Sequence, residues 1–189
     1  MASEPGNTPA PPAQSQGDPF AALGLPRSFD LTPAQVQQAY LRASVAAHPD
    51  RAGRSTQEQA HAQLAAARLN GARQILDDPE RRAGALLELL GGSSKEADRS
   101  LPPGFLVEVM ELRERIQAPA GPSDQGAIRQ LRDDVTARRA QTLAQVRALF
   151  ASALGTGPAP GELRAIRTHL NALRYLERMI EQLDDRAHD

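Results

Sequence analysis

The segment Leu31-Thr32-Pro33-Ala34-Gln35-Val36 commits the residues after it to a helix. Thr32 is a side-chain acceptor at the N-cap, Pro33 has its fixed φ at the first helical position, and Gln35 stands where a capping box needs it. Leu31 and Val36 close a hydrophobic staple across that cap. Val36, Ala39, Tyr40, Ala43 and Ala47 then recur at helical spacing until Pro49, which has no N–H to donate and turns His48 away from helical angles. The same punctuation returns twice. Ser55 and Glu58 form a second capping box, opening a helix to about Asp77 with Leu64, Ala72, Ile75 and Leu76 inward. Asp78-Pro79 opens another, which Gly91-Gly92 ends.

The remainder is also helical. Alanine, leucine, arginine and glutamine dominate, whereas four Phe, two Tyr and no Trp leave no aromatic or β-branched runs for strands. The predicted class is all-α. Residues 1–17 are rich in Pro, Ala, Ser, Gln and Gly and read as a disordered tail. A short helix in DPFAALGL begins a helical-hairpin domain over residues 18–92. After a polar linker at 93–101, three segments at about 102–118, 123–154 and 160–185 are separated by Pro/Gly loops short enough to make antiparallel neighbours. They predict a three-helix bundle over 102–189. Leu163, Ile166, Leu170, Leu173, Leu176, Ile180 and Leu183 form its seam.

Charge and composition exclude several functions. The net charge is -1, so no basic field recruits nucleic acid. With no cysteine there is no disulfide, zinc–thiolate site or cysteine-ligated cluster. No cofactor or metal site is predicted. No apolar run approaches the roughly 20 residues that span a bilayer, and no secretory pattern opens the chain; a cytoplasmic protein is expected.

His48-Pro49-Asp50 lies where two capped helices turn back on each other. His48 and Asp50 as a catalytic pair would need a nucleophile and a pocket, and the sequence offers only a loop. His61, His169 and His188 have no ligand-spaced partners and read as surface residues. No enzyme is expected. The order of short helix, capped helix, His-Pro-Asp, capped helix and Asp-Pro-initiated helix resembles a J domain, and Leu69-Asn70-Gly71-Ala72, Leu76, Pro79, Arg82 and Ala83 resemble its closing stretch. The resemblance implies that His48, Pro49 and Asp50, with Arg42 and Arg51 as flanking basic groups, contact a DnaK-type or HscA-type chaperone and stimulate its ATP hydrolysis.

The run from Phe105 to Ile116 carries two faces. At about 100° per residue, Phe105, Val109, Leu112 and Ile116 fall within about 60° and make a bundle-facing stripe. Leu106, Val107, Met110, Glu111 and Glu114 occupy a separate arc about 140° wide. On periodicity alone, this arc either packs on the preceding domain or forms a partner-binding patch. Tyr175 lies about 100° off the stripe of Leu173 and Leu176, which predicts partial exposure.

Together, the J-like segment, FLVEVMELRERI and LNALRYLERM resemble HscB, the J-type co-chaperone family of iron–sulfur cluster assembly, across residues 18–185. That resemblance implies an HscA/DnaK-type chaperone and an IscU-like scaffold as partners. It implies that Leu106, Val107, Met110, Glu111, Glu114 and Tyr175 bind the scaffold, which carries the cluster while the co-chaperone supplies no ligands. The alternative is a J protein of another or general client, whose bundle dimerises or binds that client.

Overall fold

The computed structural model describes residues 17–47, 55–117 and 125–188. Seven helices and no strand occur among them: α1 (Pro19–Leu23), α2 (Pro33–Ala46), α3 (Thr56–Asp77), α4 (Pro79–Leu89), α5 (Phe105–Gln117), α6 (Gln125–Thr156) and α7 (Pro160–His188). The all-α expectation holds. None of these helices is long and apolar enough to cross a membrane. Residues 1–16 of the expected tail and Ser123, the expected start of the sixth helix, lie outside the described residues.

The cap chemistry expected from the sequence is present at each start. Gln35 N–H donates to Thr32 Oγ1 at 3.3 Å, and Thr32 N–H donates to Gln35 Oε1 at 2.8 Å. Glu58 N–H donates to Ser55 Oγ at 3.3 Å, and Ser55 N–H donates to Glu58 Oε2 at 3.2 Å. Asp78 Oδ1 accepts from the amides of Glu80 and Arg81. Asp18 does the same for α1, which ends on Gly24 at φ 63°, a left-handed conformation that favours glycine.

Three boundaries differ from expectation. α5 begins at Phe105 rather than Pro102, because Pro102 to Gly104 form a turn: the Phe105 amide donates to Pro102 O at 3.1 Å, and Gly104 stands at φ 78°. α6 runs on to Thr156 and α7 to His188. One inward assignment fails as well. Leu64 is 60% exposed, because Ala62, Leu69, Ala72 and Leu76 define the buried side of α3 and Leu64 sits about 200° from Ala62.

The packing is organised by α7. Its first half buries Ile166, Leu170 and Leu173 in one cluster with Phe20 and Leu23 of α1, Val36 of α2, Leu76 of α3, Leu86 and Leu87 of α4, and Val146 and Phe150 of α6. Its second half buries Ala172, Leu176, Met179 and Leu183 with Phe105, Val109 and Ile116 of α5 and Leu131 and Val135 of α6. The first cluster thus crosses segment 93–101 and joins the N-terminal helices to α6 and α7. Phe29 stacks on Phe150, with ring centroids 5.5 Å apart. Buried Arg82 lies over the Phe29 ring at 5.6 Å and donates from Nη1 to the carbonyls of Leu31 (2.8 Å) and Leu76 (2.9 Å). Arg147 of α6 reaches Asp30 at 2.5 Å.

A carboxyl pair lies on the same junction. Arg139 of α6 holds Glu177 of α7 at 2.8 Å, while Glu80 of α4 sits 3.9 Å from that guanidinium, beyond hydrogen-bond reach. Burial first, then the neighbouring Glu177 carboxylate and to a lesser degree Asp78, push the Glu80 carboxyl from its ordinary 4.5 up to about 8, with Arg139 opposing. At neutral pH Glu80 therefore keeps its proton. A raised folded-state value stabilises the fold fully below 4.5, and that contribution is lost as pH rises through about 8. Glu80→Gln, which mimics the protonated form, should match the wild type in urea unfolding near pH 4 and become progressively the more stable of the two up to about pH 8.5. A pH-independent difference between the two midpoints would contradict this assignment.

Candidate functional site

The predicted site residues divide between two regions. Arg42 is exposed on α2, together with Leu41 and Val45 one turn apart. His48, Pro49, Asp50 and Arg51 lie outside the described residues. Leu41 and Val45 were not among the predicted site residues, because the stripe of Val36, Ala39, Tyr40 and Ala43 accounts for α2 as a packed helix. Two apolar residues four apart and off that stripe were the available signal.

The second region is α5. Its inward stripe is as spaced: Phe105, Val109 and Ile116 are buried, and Leu112 is half-buried against them. Its other arc faces solvent. Leu106 is 58% exposed, Val107 60% and Met110 56%, with Glu111 and Glu114 exposed beside them. Of the two alternatives left open by periodicity, packing against the N-terminal helices is thereby removed. Tyr175 is 37% exposed and comes from α7 to the same place, its ring edge-on to Phe105 at 6.3 Å. Three apolar side chains at helical spacing, a tyrosine from the neighbouring helix and two carboxylates form one continuous exposed surface.

Grooves flank this surface on both sides. Toward α6, Glu108, Glu111, Leu112, Arg115, Asp134 and Arg138 line a groove of about 470 Å³. Its charges are mostly paired: Arg138 Nη2 donates to Glu108 Oε2 at 2.9 Å, and Arg115 Nη2 to Asp134 Oδ2 at 3.2 Å. Toward α7, a groove of about 310 Å³ runs between segment 94–100 and the helix, with Tyr175 in its wall. Asn171, nearly buried, pins that segment by donating from Nδ2 to the carbonyls of Asp98 (3.0 Å) and Ser100 (2.9 Å).

No group of three metal-ligating side chains comes together among the described residues. His61 is exposed, as expected, but His169 is half-buried, because it lies on the α7 turn between Ile166 and Leu170. Burial, and then Arg138, hold its pKa below the usual histidine value, so the ring is neutral at neutral pH. The His188 side chain lies outside the described residues.

Comparison with known proteins agrees with this arrangement along the chain. A DnaJ domain family model matches residues 18–84, and a model described as the HSCB C-terminal oligomerisation domain matches residues 101–184. The Co-chaperone protein HscB homolog of Bordetella pertussis is 36% identical over 132 residues, covering 68% of this chain and 78% of that protein. The protein of the same description from Ralstonia nicotianae is 32% identical over 173 residues, covering 90% and 96%. A solved structure, the chaperone HscB from Vibrio cholerae, superposes with a TM-score of 0.73 at 28% identity, covering 91% of this chain and 98% of that one.

The two faces of α5 should separate in a stability series. Ile116→Ala should destabilise the fold by about 2 kcal/mol or more, and Leu106→Ala should stay within about 0.5 kcal/mol of the wild type. Chemical denaturation measures both. A large loss for Leu106→Ala would mean that the arc is packed.

Proposed function

The chain belongs to the HscB family of J-domain co-chaperones, and on that premise we propose that it stimulates ATP hydrolysis by an HscA/DnaK-type chaperone and delivers an IscU-like scaffold to it for iron–sulfur cluster transfer. The observation that carries the reading is the exposure of Leu106, Val107 and Met110 next to Tyr175, Glu111 and Glu114, on a helix whose opposite stripe is buried. Apolar side chains spaced to sit in a core yet left in water form a patch whose burial favours association.

The two halves of the chain have separate tasks. His48, Pro49 and Asp50, with Arg42 and Arg51 as basic groups flanking them in the sequence, engage the chaperone, and a proline between two polar residues restricts their relative orientation. The α5 patch and Tyr175 hold the scaffold, and Glu111 and Glu114 favour a basic surface opposite them. The shared core around α7 joins the N-terminal helices to α5, so a bound scaffold is presented to the chaperone at raised effective concentration. A chain without cysteine supplies no thiolate to the cluster, which stays with the scaffold as cargo. We place this activity in the cytoplasm.

One observation favours a second reading: the matching C-terminal model is described as an oligomerisation domain, which suits a bundle that pairs with itself or serves another client. The two readings separate in ATP turnover by an HscA-type chaperone. Under the proposal this protein stimulates turnover, and an IscU-like scaffold amplifies the stimulation. His48→Gln abolishes stimulation without loss of scaffold binding. Leu106→Ala with Met110→Ala weakens scaffold binding at least about tenfold, as expected for truncating two apolar anchors, and removes the amplification. Stimulation indifferent to the scaffold would leave the J domain in place and assign the bundle to another client.

A further inference from the structure

The groove between segment 94–100 and α7 differs in charge from the one toward α6. Lys95 and Arg99 stand on one wall, Arg174 and Arg178 on the other, with Glu96 as its one carboxylate. Glu96 forms an ion pair with its neighbour Lys95, at 3.6 Å. No carboxylate lies within ion-pairing distance of Arg99, Arg174 or Arg178 among the described residues, whereas Arg115, Arg132, Arg138, Arg139 and Arg147 of the same bundle are all paired. Arg174 and Arg178 are one turn apart on one helix face, where like charges destabilise. Arg113 of α5, exposed and also without a carboxylate partner among the described residues, falls about 20° from Leu106 on the helical wheel and adds to the same side.

This basic wall is continuous with the apolar patch. Tyr175 belongs to both, since its ring touches Phe105 of α5 and also lines the groove. At about 100° per residue the order around α5 is Leu106, Met110, Glu114, Val107 and Glu111, with Tyr175, Arg174 and Arg178 beyond the Leu106 edge and Glu111 in the groove toward α6. The surface runs from a basic edge through apolar side chains to an edge where Glu114 and Glu111 flank Val107.

We infer that the Lys95, Arg99, Arg174 and Arg178 groove is a second docking element, which takes an acidic segment of the scaffold whose apolar face covers Leu106, Met110 and Tyr175. This rests on the proposed scaffold binding and deepens it. One acidic flank would tolerate rotation of the partner about the patch. Opposite charges on the two edges select one orientation and reject the reversed one, in which like charges meet. Asn171 is the positioning residue, because its two hydrogen bonds hold segment 94–100, and with it Lys95 and Arg99, against α7.

The test compares scaffold affinity for the full chain, for Leu106→Ala/Met110→Ala, for Arg174→Glu/Arg178→Glu and for Arg99→Glu, with circular dichroism as a check on folding. The arginine reversals should weaken binding by about tenfold at low salt, and the difference from wild type should shrink toward roughly 0.5 M salt as screening grows. Arg99→Glu, on the opposite wall, should act in the same direction. Loss in the apolar variant with no change in the arginine variants overturns the groove and leaves the scaffold reading intact. No loss in the apolar variant overturns the scaffold reading and the groove with it. A dimer of the free chain that Arg174→Glu/Arg178→Glu dissociates would make the occupant a second copy and overturn the inference.

Discussion

The two cores of the described helices are joined by the burial of α7 along its length. Ile166, Leu170 and Leu173 lie among the N-terminal helices, and Leu176, Met179 and Leu183 lie against α5. One helix of 29 residues, about 43 Å of rigid rod, therefore carries two cores. A helix so committed cannot tilt in one half without disturbing the other. It fixes where α5 presents Leu106 and Met110 relative to α2.

The junction between the halves is part of that constraint. Phe29 on Phe150 and Arg82 donating from Nη1 to two carbonyls build an apolar contact with a buried cation in it, whose Nε has no partner among the described residues. Glu80 beside Glu177 brings in a carboxyl that burial keeps protonated. Two arginines perform different work here: Arg82 closes off backbone acceptors inside the N-terminal helices, and Arg139 neutralises Glu177 at the seam with α7. The apolar patch lies on faces of α5 and α7 that the fold leaves uncovered.

Local chemistry was the legible part of the sequence. Caps at Thr32, Ser55 and Asp78 involve residues two or three apart, so the chain announces them by spacing. The α5 stripe and its second arc were equally plain, because helical periodicity determines which residues share a face. Whether that arc was covered was not legible, since coverage depends on where another element packs. Leu64 was misassigned for the same reason: its face was set by what α3 packs against, and Ala62 took the inward place. Glu80 and Glu177 lie nearly a hundred residues apart, and no pattern along the chain brings them together. The basic groove was hidden likewise, because Asn171 has to fold segment 94–100 onto α7 before Arg99 can face Arg174 and Arg178.

Hydrogen exchange of the full chain, with scaffold and with chaperone added separately, tests most directly the claim that two separate surfaces serve two partners. The account predicts that the scaffold slows exchange in residues 94–117 and around Tyr175, and that the chaperone slows it around Arg42 to Arg51. Coincident footprints, or a scaffold footprint on the N-terminal helices, would contradict it.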